Sequence, residues 1–255
     1  MSSESKKIDL GTHALRVRES GAGTRTFVCL HGFLDGTTVW DGVAAQLADL
    51  GRVVLVQQRA HGTSTAPEGP CTLGALAADV RALFDALGIG RAVLVGHALG
   101  GIVALELALA APERVEALAL ISTPSEIDDR AVAQWRQVVR AGEVNKLQGL
   151  ARSVFGPTSR REVDGDGIGL TEIARALQGF GAQPLTSRLA EVRCPTLVLA
   201  GESDPAGAAA ARTFAARVAG ATLEVVAGQD DAPHVGAPDA VATAIRAFVA
   251  RLPQG

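Results

Sequence analysis

A mostly parallel α/β sheet covered by helices on both faces is the fold this chain predicts, and three observations carry that expectation. Five runs are almost uniformly apolar, as strands buried on both faces are: TFVCL (26–30), RVVLVQ (52–57), AVLVG (92–96), VEALALIS (115–122) and PTLVLAG (195–201). Stretches with helical patterning separate them, the alternation of a doubly wound sheet. The 255 residues are 47% hydrophobic, enough for one large core.

The elements follow in order. IDLGTHALRVRESG holds two short segments about Gly11, an antiparallel hairpin at the near edge of the sheet. Helices are expected at 37–49, 72–87 and 99–111, each after one of the first three strands. After Ser122 the rhythm breaks. DDRAVAQWRQVVRAGE (128–143), VNKLQGLARSVFG (144–156) and LTEIARALQGF (170–180) read as helices, and no strand interrupts them. Residues 1–122 and 195–255 therefore form the core, and 123–194 a helical lid inserted over the carboxyl ends of the strands, where open α/β sheets bind ligands. A helix at 207–219, a weaker edge strand ATLEVVAG (221–228) and AVATAIRAFVARL (240–252) close the chain. The DGDG of 164–167 begins like a calcium loop but lacks the later ligands and the glutamate, so it reads as a turn.

Bulk properties narrow the function classes. A net charge of −3 gives no electrostatic reason for a nucleic-acid or anionic-membrane partner. The longest apolar region, 92–121, is broken by Gly96, Gly100, Glu106 and Pro112, short of the ~20 residues a membrane helix needs. The polar start MSSESKKIDLG has no apolar signal segment, and Cys29, Cys71 and Cys194 form no CxxC pair. The expectation is a cytoplasmic monomer or weak homodimer that takes a small-molecule substrate and carries no metal or organic cofactor.

The chemistry sits at the strand ends. In AVLVGHALGGIVALELALA (92–110) a strand turns sharply into a helix at Gly96-His97-Ala98-Leu99-Gly100-Gly101. Such a turn forces its central residue to positive φ and needs almost no side chain two positions to either side. Gly96 and Gly100 meet that need, and Gly101 allows close helix–sheet packing. With serine at the tip this would be G-x-S-x-G; here the tip is Ala98.

Directly after TFVCL comes HGFLDG (31–36), and this HG-aromatic turn resembles the oxyanion-hole loop of α/β-hydrolases. The resemblance extends to LVLAGESDP (197–205), similar to the family's acid turn, and to DDAPHVGAPDAVATAIRAFV (230–249), similar to its histidine segment. VVLVQQRAHGTS (53–64) resembles the D-x-R-G-x-G-x-S segment, with Gln57 in place of the aspartate and Ala60 in place of the first glycine. The likeness spans about residues 8 to 252 and implies the α/β-hydrolase fold with a Ser-His-Asp site. It assigns position 98 to the nucleophile, His234 to the general base, Asp204 to its orienting carboxylate, and the Phe33 and Leu99 amides to the oxyanion hole. His61 is expected to be structural. His31, Leu34, His97, Trp135, Val139, Leu147, Leu150 and Phe155 are candidates to line the substrate pocket, some of them equally the lid's own core. The pattern is shared by esterases, enol-lactonases and carbon–carbon bond hydrolases. Tyrosine is absent, so none can assist an oxyanion.

Three explanations fit Ala98. A serine was exchanged for alanine, leaving an inactive hydrolase for a small, mostly apolar ester, lactone or ketone substrate. Alternatively, the natural enzyme needs no nucleophile and uses His234 and Asp204 for lyase, cyclase, isomerase or cofactor-free oxygenase chemistry. Or the protein binds a small ligand without catalysis.

Overall fold

The computed structural model describes residues 4–156 and 163–253. Strands β1 (Ser5–Asp9), β2 (Ala14–Ser20), β3 (Arg25–Leu30), β4 (Gly51–Gln57), β5 (Ala92–His97), β6 (Val115–Ile121), β7 (Thr196–Gly201) and β8 (Thr222–Val226) form one sheet in the order β1-β2-β4-β3-β5-β6-β7-β8. The hairpin β1–β2 and its pairing with β4 are antiparallel; all later pairs are parallel. The edge hairpin turns at Gly11, at φ 91°, and the weak strand β8 closes the far edge.

Helices cover both faces: α1 (Asp41–Leu47), α2 (Leu73–Ala86), α3 (Leu99–Ala110), α6 (Pro205–Arg217) and α8 (Pro238–Val249). Alternation along each strand splits the core in two. Val28, Leu30, Leu94 and Leu118 face α2 and α3, whereas Phe27, Cys29, Val93 and Val95 face α1 and α8. Complete burial pushes the Cys29 thiol up to about 12, so it is a packing residue.

Between β6 and β7 stand α4 (Asp129–Phe155) and α5 (Gly167–Gly179), which pack on each other. Asp128 and Asp166 cap them, accepting from the N–H groups of Ala131 and Ile168. The two helices expected at 128–143 and 144–156 both form and are joined within α4 by a kink at Lys146, whose φ of 48° and ψ of −129° are not helical. The DGDG turn does local work: Asp166 is the cap, and Gly165 forms a bridge with His61.

Candidate active site

The carboxyl ends of β3, β5, β6 and β7 converge on the tip. Ala98 turns the chain from β5 into α3 at φ 46° and ψ −110°, and its N–H donates to the Ile121 carbonyl at 3.1 Å. The flanking glycines explain how so tight a corner closes. A Cβ on Gly96 would stand 2.5 Å from the Gly100 carbonyl oxygen, and one on Gly100 would overlap the Leu30 carbonyl. Gly101 leaves room for the Thr123 side chain rather than for the sheet itself.

The loop after β3 is clamped by two neutral histidines. His61 Nε2 accepts the Leu34 N–H at 3.1 Å, which makes its Nδ1–H the donor to the Arg59 carbonyl. His31 accepts the Gln58 N–H at Nε2 and donates from Nδ1 to the Gly32 carbonyl. These bonds hold Leu34 at φ 62° and present the Phe33 N–H. Among the described residues neither that N–H nor the Leu99 N–H, the first of α3, has an acceptor within the protein.

The remaining members arrive from β7 and from α7 (Pro233–Gly236). His234 is 1% exposed, its ring 4.5 Å from Trp40 and 4.4 Å from His97. Neither of its nitrogens has a hydrogen-bond partner. Asp204 precedes α6 and caps it, Oδ1 accepting from the Gly207 N–H at 2.9 Å, while buried Oδ2 has no partner. The expected Asp204–His234 hydrogen bond is therefore not formed. Asp204 Oδ2 and Ser122 Oγ both border the space beside Gly207, where an added Cβ would meet them. Ser122 ends the strand next to the elbow and, like Ala98, sits at positive φ, 44°.

A model of the alpha/beta hydrolase fold matches residues 25–148. A solved hydrolase from Pseudomonas aeruginosa PA01 superposes with a TM-score of 0.86, covering 98% of this chain and 99% of that one at 29% identity. The chain has the α/β-hydrolase fold. Similar proteins include 2-(acetamidomethylene)succinate hydrolase of Mesorhizobium japonicum, 27% identical over 96% of this chain and 95% of that protein. The 3-oxoadipate enol-lactonase 2 of Acinetobacter baylyi is 28% identical over 84% of each.

Within this α/β-hydrolase fold the ionisable groups of the site are buried. Burial, reinforced by His97, lowers His234 to about 2 against the partial opposition of Asp35. Burial and the neighbouring His31 ring lower His61 to about 3, and His31 itself is lowered by burial. Among the described residues nine buried side-chain polar atoms lack a hydrogen-bond partner. Six of them belong to Trp40, His97, Ser122, Asp204 and His234. Such orphans are rare in folded proteins, and most of those here gather around the tip.

The predicted pocket residues divide. Trp135 reaches from α4 to the Phe33 ring, 5.3 Å between centroids, and so covers the loop after β3. His97 lies within the site. His31, fully buried with both nitrogens engaged, is structural rather than pocket-lining. Leu150 and Val139 are buried in the core that α4 and α5 share with the sheet; Leu34 is buried as well, while Leu147 and Phe155 pack against that core partly exposed. A cavity of about 590 Å³ lies between the start of α2, Glu106 of α3 and the end of α5, and none of the predicted pocket residues lines it. Sequence reasoning missed Asp35, Trp40 and Ser122. Only Asp35 left a signal, as an acidic residue in an otherwise apolar strand-end loop.

Proposed function

We propose that this protein is a hydrolase of the serine type, built for a small, mostly apolar ester, lactone or ketone substrate, and that with Ala98 at the tip it stands in an inactive form. The observation that carries this reading is the tip itself. A backbone at φ 46° and ψ −110° costs a residue with a Cβ about 1–3 kcal/mol, and an alanine methyl gains nothing from it. The strained geometry makes sense as the mount of an attacking atom, with the unengaged amides of Phe33 and Leu99 beside it for the developing oxyanion.

In the serine form the position-98 hydroxyl attacks the carbonyl carbon. Its proton passes to His234, which returns it to the leaving oxygen or carbon. The negative charge on the former carbonyl oxygen is held by the Phe33 and Leu99 N–H groups. Asp204 takes the role of orienting carboxylate through its Oδ2, which the α6 cap leaves uncommitted, when the site is engaged. Similarity to proteins named hydrolase and enol-lactonase supports carbonyl chemistry.

A second reading has its own observation. His234 is neutral and unpartnered, and Asp204 is already committed to capping α6. A neutral imidazole with no committed partner is also the equipment for abstracting a proton beside a carbonyl, without a nucleophile.

One comparison separates them. The protein and its Ala98→Ser variant are assayed on p-nitrophenyl acetate and a lactone panel. Serine is expected to raise turnover by several orders of magnitude, since losing a triad nucleophile costs on the order of 10⁶ in one protease. No gain on any substrate overturns the serine reading. Turnover of candidate lyase, isomerase or oxygenase substrates by the unaltered protein that disappears in His234→Ala establishes the second one. Tight ligand binding indifferent to both changes marks a binding protein.

A further inference from the structure

All five histidines of this chain are buried, and four surround one carboxylate. Asp35, on the oxyanion loop, acts electrostatically on His31, His61 and His234 and stands 3.7 Å from His97, Oδ2 to Nδ1. The hydrogen bonds sort the rings. His31 and His61 each accept a backbone N–H at Nε2, so both are neutral. His97 is different. Its Nε2 lies 3.0 Å from the Asp231 carbonyl, which can only accept, so Nε2 always carries hydrogen. A neutral His97 would then turn the bare lone pair of Nδ1 toward a carboxylate in a site almost closed to water, with side-chain exposures of 8% and 9%. Two acceptors facing one another there repel; a proton between them converts repulsion into an ion pair. Gly32 makes the approach possible, because a Cβ at that position would stand 2.7 Å from Asp35 Oδ2 and 2.8 Å from His97 Nδ1.

We propose that His97 carries a proton on Nδ1 and forms a buried ion pair with the Asp35 carboxylate beside the tip, and that this pair positions His234. His97 ties three corners of the site together. It belongs to the elbow strand, it faces the oxyanion loop through Asp35, and it donates to the chain three residues before His234. Its positive ring, 4.4 Å from the His234 ring, opposes a second proton on His234. Neighbouring histidines thereby take opposite charge states, one a base and the other a fixed cation, the separation an acid–base site requires. Asp35 supplies the carboxylate that faces His97 in this pair.

The test needs no turnover, so it stands or falls independently of the serine-hydrolase reading. With 15N-labelled histidine at neutral pH, ring nitrogen shifts report which nitrogens carry hydrogen. His97→Gln assigns its signal. His13→Gln removes the ring that lies 3.1 Å from Asp79 and could be confused with it. The expected spectrum has His97 protonated at both nitrogens and His234 neutral. In Asp35→Asn the His97 signal changes to a neutral pattern and the His234 signal moves; in Asp204→Asn the His97 pattern stays. A neutral His97 in the unaltered protein overturns the pair, and that spectrum decides even if Asp35→Asn fails to fold. An Asp35→Asn spectrum unchanged at His97 and His234 overturns it equally.

Discussion

At the scale of single residues the site is a set of tight backbones that only certain side chains permit. Gly100 is the sharpest case, since the strand-end carbonyls of Leu30 and His31 occupy the place of its Cβ. Gly100→Ala must push α3 away from β3 and is expected to cost about 3 kcal/mol, read as a lowered urea midpoint. Gly74, in the first turn of α2, supplies the contrast: its nearest neighbour is 4.0 Å away, so Gly74→Ala should leave stability unchanged or raise it by up to about 1 kcal/mol. Equal effects at the two positions would show that the elbow is not limited by close approach. The motif G-x-x-x-G was legible in the sequence because this requirement is local. The roles of Ser122 and Asp35 were not, because nothing within a few residues of either says what it faces.

Among the elements, the pair α4 and α5 departs most from a regular pattern. Periodicity indicated two helices, 128–143 and 144–156, and the structure sets their junction at Lys146, where neither glycine nor proline stands. The break lets the chain bend so that Leu150 enters the core while Trp135 reaches the Phe33 ring. A lysine at φ 48° and ψ −129° is strained by about 1–3 kcal/mol. Lys146→Gly should recover about 1 kcal/mol of this after glycine's entropic cost. The measurement is slower amide exchange in α4 and α5 with the Trp135 environment unchanged. Faster exchange there would mean that the lysine conformation is not a source of strain.

Over the whole molecule, the buried histidines set a response to acid. The free side chain titrates near 6.5, whereas folding lowers His31, takes His61 to about 3 and takes His234 to about 2. Below pH 6.5 the unfolded chain therefore binds protons that these folded rings refuse. Their contribution to stability is complete above that pH and falls as pH drops toward the folded values. Each ring contributes roughly 1.4 kcal/mol per pH unit within that window. The unfolding free energy should decline from pH 7 to pH 4.5, with a shallower slope in His61→Gln. Constant stability across that range would contradict the burial of neutral imidazoles.

The sequence by itself determined the alternation of strand and helix, the edge hairpin at Gly11, and the order in which the HGFLDG turn, the elbow at Ala98, the turn at Asp204 and the segment of His234 follow one another. Each of these is encoded in a short window: apolar runs for buried strands, glycines where a Cβ would collide, and turn residues after strands. Only the tertiary structure decided what the corners do to one another. It gave Asp204 to the N-terminus of α6 instead of to His234, placed Trp135 over Phe33, and gathered residues 31, 35, 61, 97 and 234 into one dry cluster. The physical reason is the parallel sheet. It brings distant strand ends to one edge, and which polar atoms meet there depends on register and twist summed over the whole sheet.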